Sequence, residues 1–182
     1  MMLLWEDMDT PILLLPFNRP TIIAEVIDAL RVIKPKRIFV VADGPRSNRP
    51  GEAELCEKTR KTVLEKLDWG CEVTTHFRTE NLGVGRGIDE AITWFFEHVD
   101  QGIILEDDCV PNPSFFDFCN EMLKRYKDNE HVGVISGNNF ISPTTLAEID
   151  PEAKKYYFVR PTYTWGWATW KRAWDKHDLT MK

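Results

Sequence analysis

Residues 102–108, "GIILEDD", decide how the chain is read. A glycine and three aliphatic residues run directly into Glu106, Asp107 and Asp108. A short apolar run bounded by turn residues is the pattern of a buried strand. Three adjacent carboxylates repel one another, and burying them without partners is costly. A positive partner is therefore expected where this strand ends.

Working outward, the same pattern repeats. "PILLLPF" (11–17) and "KRIFVVADGP" (36–45) are apolar runs closed by turn residues, and each reads as a buried strand. "CEVTTHFR" (71–78) is a third strand with weaker alternation, and "HVGVISGNNF" (131–140) a fifth after 102–108. Helices fall between them. After Pro20, Ile22, Ile23, Val26, Ile27, Leu30 and Ile33 recur at helical spacing. Charged residues 51–70 form an amphipathic helix closed by Gly70. Residues 88–100 follow the glycine-rich loop 79–87, and 112–129 follow Asn112 as cap with Pro113 in first position. Strand and helix alternate four times with short connections, which predicts an α/β fold: a mostly parallel sheet flanked by helices on both faces. The stretch 141–164 loses the alternation. An aromatic-rich loop and a short helix are expected after it.

Open α/β sheets bind ligands outside the carboxyl ends of their strands. The residues there are Asn18 and Arg19, Asp43 and Gly44, Arg78 through Arg86, Glu106 to Asp108, and Gly137 to Asn139. Each admits two readings. Glu106–Asp108 suit a hard divalent cation, which prefers oxygen ligands and shares them with phosphates; the alternative is a solvated acidic turn. "NLGVGRG" is neither GxGxxG nor a P-loop, so it is a phosphate cradle or a plain turn into a helix. Arg86, at a helix start, suits an anion. Asp43 is a ligand contact or a turn residue of Asp-Gly-Pro. Arg19 is a ligand contact or a partner for a surface acid. Trp165-Gly166-Trp167 is core packing or a face on which a sugar stacks.

Composition narrows the class. A net charge of −6 argues against a general nucleic-acid binder. Cys56, Cys71, Cys109 and Cys119 are widely spaced with no CxxC pair, which argues against a structural zinc site and for free thiols in a reducing compartment. The first twenty residues lack a basic region ahead of their apolar run, and no run reaches the ~20 residues of a membrane span. A cytoplasmic protein without a membrane span is expected.

Taken together, "PILLLPFNRP", "VVADGP", "ENLGVGRGIDEAITWFF", "ILEDDCVPNPSFFDFCNEML" and "TWGWATWKRAW" resemble, in order, the nucleotide-diphospho-sugar transferases of the GT-A fold. The closest likeness is to N-acetylglucosaminyltransferase I and its bacterial relatives, across residues 10 to 175. The resemblance implies one GT-A domain over residues 1–182, truncated at its C-terminal end. It implies a metal-dependent hexosyltransferase that moves a sugar from a nucleoside diphosphate, UDP ahead of GDP, to a glycan or other hydroxyl acceptor. Asp108 would ligate Mn²⁺ or Mg²⁺, with Glu106 and Asp107 at the ribose, donor sugar or metal waters. Asn18 and Arg19 would lie near the nucleotide, Asp43 on the base, and Gly166 and Trp167 on the acceptor side. Arg86 would stabilise the leaving diphosphate. In the family the catalytic base lies some distance beyond the Gly-Trp segment. Here it is expected past Lys182; Asp175 and Asp178 are early substitutes. Two rivals stand beside this reading. A sugar nucleotidyltransferase usually carries glycine with lysine or arginine after the first strand, and "PFNRPTI" has no glycine. A nucleotide-sugar-binding module without turnover would need no base.

Overall fold

The computed structural model describes residues 8–142, 144–145, 148, 156–160 and 162–179. The chain's opening residues 1–7 and part of the irregular stretch 141–164 lie outside the described residues. Among the described residues the principal elements are β1 Ile12–Leu15, α1 Pro20–Ile33, β2 Arg37–Ala42, α2 Glu52–Lys66, β3 Glu72–Phe77, α3 Val84–Phe96, β4 Gln101–Glu106, α4 Pro113–Arg125, β5 Val134–Ser136, β6 Trp167–Trp170 and α5 Lys171–Trp174. They build one sheet in the order β3-β2-β1-β4-β6-β5. The first four strands in that order are mutually parallel. β6 enters antiparallel between β4 and β5. The expected α/β sheet, mostly parallel and covered on both faces, is what the chain forms.

Alternation along the central strands explains the two covered faces. Ile12, Leu14, Ile38, Val40, Ile103 and Leu105 face one core with α1, α2 and α4. Leu13, Phe39, Val41 and Ile104 face the other with α3. Because side chains alternate with period two, strands buried on both faces read as continuous apolar runs. α1 supplies Ile23, Val26, Ile27, Leu30 and Ile33, all buried, and ends where Lys34 turns left-handed. Burying each such side chain contributes about 1.5–3 kcal/mol.

α2 ends at Lys66 with Leu67 as its cap, short of Gly70, and the fifth strand keeps only Val134–Ser136 of 131–140. Two further departures bear on the site. α3 starts at Val84, not at residue 88, so Gly85 and Gly87 lie in its first turn. Glycine is a poor helix former, but the start is held from outside the helix. The Asp43 carboxylate accepts hydrogen bonds from the backbone N–H of Leu82 (3.0 Å) and Gly83 (3.2 Å). Arg78 donates to the carbonyl of Gly87 at 2.9 Å. The second departure is β6, four residues within the stretch expected to be a loop and a short helix. Its backbone pairs on both sides, with β4 and with β5, and all four residues are buried. Long-range pairing, rather than local propensity, makes it a strand.

Candidate active site

The carboxyl ends of β1, β2, β3 and β4 share one edge of the sheet. β6 is antiparallel, so its first residue, Trp167, stands opposite Ile104 near the end of β4. Trp165 and Gly166 therefore arrive at the same edge. β5 ends there too, with Ser136 opposite Trp167 and the Gly137 N–H donating to the Gly166 carbonyl at 3.0 Å, so ends of all six strands meet at this edge.

The positive partner demanded by the carboxylate run is Arg19. It caps the start of α1 without a side-chain cap of its own, so its guanidinium is free to turn toward β4. Its Nε donates to Asp107 Oδ2 at 3.1 Å, its Nη2 donates to Asp107 Oδ1, and its Nη1 lies 3.0 Å from Asp108 Oδ2. The backbone N–H of Phe17 also donates to Asp107 Oδ2, at 3.3 Å. Asp107 is 2% exposed, so these donors are what make its burial tolerable. The side chain of Asp108 remains 38% exposed, and its Oδ1 accepts from the indole Nε1 of Trp165 at 3.2 Å.

Glu106 is not part of that cluster. In register with Leu15, it borders a cavity of about 560 Å³ formed with Ile88, Trp167, Trp174 and Leu179. Burial raises its pKa above the ordinary carboxylate range, and the charges of Asp108 and then Asp107 raise it further. The three acids thus divide: two bound to Arg19, one in a second, mostly apolar recess.

Asn18, Asp43 and Arg86, named from sequence for the nucleotide side, each have a partner within the chain. Asn18 Nδ2 donates to Glu52 Oε1 at 3.0 Å. Asp43 is occupied by the N–H groups of Leu82 and Gly83, with Arg78 at 3.8 Å. Gly44 follows it, and a side chain there would meet the backbone of Glu80 at 2.5 Å, so only glycine lets the loops after β2 and β3 close. Arg86 is 68% exposed at the side chain and pairs with Glu90 one turn along α3, at 2.6 Å.

Gly166 and Trp167 divide differently from Trp165. Gly166 has φ +72°, which an L side chain rarely adopts, and it reverses the chain between an exposed and a buried indole. Trp165 is 58% exposed, whereas Trp167 is 7% exposed and packs in the core beneath α3. The exposed ring at the carboxylates is thus Trp165. Beyond it lies a cleft of about 930 Å³ between α4, β5 and residues 156–160 and 162–166. Phe115, Phe118, Tyr157 and Trp165 line it, with Asp108 and Asn138 at one end.

Of the two late acids, Asp175 stands away from this edge, whereas Asp178 lies between His177 and Leu179, which line the recess that Glu106 borders. Asp175 follows α5, at the opposite end of β6 from Gly166, and pairs with Lys171 at 3.3 Å. Asp178 follows His177, which pairs with Asp89 on α3 at 3.1 Å.

The sequence reading overlooked Glu52. It is the first residue of α2, yet only 4% exposed. Arg46 donates to it from its backbone N–H (2.7 Å to Oε2), its Nε (3.0 Å) and its Nη2. These bonds, Arg46's side chain above all, hold its carboxyl down to about 2. An acid at a helix start was the visible signal; its burial was not visible, because it depends on Arg46 folding back over it and on Asn18 from the loop after β1.

No group of three metal-ligating side chains gathers among the described residues. Both oxygens of buried Asp107 are taken by Arg19 and the Phe17 N–H, so the carboxylate a hard cation could reach is that of Asp108, 38% exposed at its side chain. Mg²⁺ sites use one or two carboxylates and complete the shell with water and phosphate oxygens. No helix among the described residues is long and apolar enough to cross a membrane.

No family model and no curated protein matches the chain. Among solved structures, one similar chain is a 4-diphosphocytidyl-2C-methyl-D-erythritol synthase from Anaerococcus prevotii. It superposes with a TM-score of 0.47 at 9% identity, over 91% of this chain and 73% of that one.

Proposed function

We propose that this chain is a metal-dependent glycosyltransferase of the GT-A type, taking its sugar from a nucleoside diphosphate, UDP in preference to GDP. One observation carries the reading: at the end of β4, Arg19 and the Asp107–Asp108 pair stand between the loops after β1–β3 and an aromatic cleft. A diphosphate needs cationic donors, and a sugar acceptor needs apolar ring faces with polar groups at their rim; this edge has both, side by side.

Asp108 is the carboxylate for Mn²⁺ or Mg²⁺. The bound cation would offset charge on the diphosphate as it leaves. Arg19 directs its guanidinium at the diphosphate, since a planar fork of donors binds phosphate oxygens in pairs. Asp107, buried and bound to the Phe17 N–H, keeps Arg19 aimed. Asn18, Asp43 and the loop at Leu82–Gly83 border the nucleoside. Glu106 meets donor hydroxyls from the α3 side, and Arg86 adds positive potential at the α3 start. Trp165 and the cleft beyond it receive the acceptor, a glycan or another hydroxyl compound, with Gly166 fixing the indole and Trp167 anchoring the segment.

One observation favours a binding module without turnover: Asp175 is held at the far end of β6. The Asp108→Ala variant tests the cation site, by titration with UDP in Mn²⁺ and in EDTA. Loss of the Mn²⁺-dependent affinity in a folded variant supports the assignment; unchanged affinity removes it. Release of UDP from a UDP-sugar, followed over time, separates transfer from binding alone.

A further inference from the structure

Two buried carboxylates flank the tripeptide Phe17–Arg19. On one side, Asp107 takes the Phe17 N–H and the Arg19 guanidinium. On the other, Glu52 takes the Asn18 amide. Glu52 also binds Arg46, whose guanidinium lies 5.5 Å from the Phe17 ring centroid. Glu52 therefore joins the loop after β1 to the loop after β2. Asp43 and the Gly44 N–H, bonded to the Glu80 carbonyl at 3.1 Å, continue the chain of ties to the loop after β3.

A carboxylate at the first turn of a helix is ordinarily exposed, where the N-terminal dipole favours it modestly. This one is buried, and its donors come from the loop that leads into α2 and from the loop after β1, rather than from its own helix. Burying a charge is tolerated only when it is paired and hydrogen-bonded. Its partners include the residue next to Arg19. Moving that residue moves the guanidinium facing Asp107 and Asp108.

We propose that Glu52 is a positioning residue for the diphosphate-facing edge: it fixes Asn18, and through Asn18 the aim of Arg19. The link to nucleotide binding rests on reading this edge as the nucleotide site; the link to Arg19 does not.

The test is Glu52→Gln, which keeps the volume and one acceptor but removes the charge that holds Arg46. Two readouts are taken on folded protein, with Glu121→Ala, an exposed helix residue, as control. The first is exchange with water of the Arg19 Nε–H, observed by ¹⁵N NMR without any ligand. It is expected to quicken about tenfold in Glu52→Gln and stay unchanged in the control. The second is UDP affinity in Mn²⁺, expected to fall about tenfold. An unmoved Arg19 signal in folded Glu52→Gln overturns the proposal. If the original chain binds no UDP, the functional reading fails, and the Arg19 signal still decides the role of Glu52. If Glu52→Gln does not fold, Asn18→Ala cuts the same tie while leaving Glu52 paired with Arg46; an unmoved Arg19 signal there overturns it equally.

Discussion

Trp165 and Trp167 are two residues apart and do opposite work. Gly166, at φ +72°, turns one indole out beside Asp108 and the other into the core. Trp167→Ala empties a buried site and should cost about 3–5 kcal/mol by chemical denaturation. Trp165→Ala should change stability by no more than about 0.5 kcal/mol while weakening acceptor or sugar contact. Equal destabilisation by both would mean that Trp165 is packed rather than presented. Glu106 gives a second residue-scale test. Its pKa is raised in the folded chain, so its stabilising share is complete below the unfolded value of about 4.3 and is lost as pH rises through the folded one. Glu106→Gln cannot ionise. Its Tm should exceed the original chain's at pH 7, and the gain should vanish below about pH 4. No gain at pH 7 would show that the recess solvates the charge.

At the scale of elements, α2 is tied to the site by its first residue. Glu52 is held down to about 2, mainly by Arg46, against about 4.3 in an unfolded chain. Its contribution to stability is therefore full above about pH 4.3 and is lost as pH falls toward 2. Glu52→Gln should be less stable than the original chain at pH 7, and thermal melts of the two should converge between about pH 4 and 2. A constant gap across that range would assign the loss to packing instead. The same elements show what was legible in the sequence. β1, β2 and β4 were readable because both faces are buried and their apolar runs are unbroken. α1 and α4 were readable from spacing and from Pro20, Asn112 and Pro113. β6 was not, since Trp-Ala-Thr-Trp becomes a strand only between two partners distant in sequence. The true start of α3 was hidden for a related reason: Asp43, forty residues earlier, holds it. The acids at the end of β4 could be located; that Glu106 parts from Asp107 and Asp108 could not, because it follows from strand pleat and from Arg19's reach.

For the whole molecule, a mostly parallel sheet gathers the ends of six strands on one edge, while α5 begins at the opposite one. Arg19, Asp107 and Asp108 stand in the middle of that edge, between the tied loops of β1–β3 and the aromatic cleft beyond Trp165. The proposal that this edge holds a nucleoside diphosphate and a cation is tested most directly by calorimetric titration with UDP, GDP and their sugar conjugates, in Mn²⁺ and in EDTA. The account predicts binding of UDP compounds in Mn²⁺ that is lost in EDTA. Folded protein that binds none of these nucleotides in either condition would contradict it.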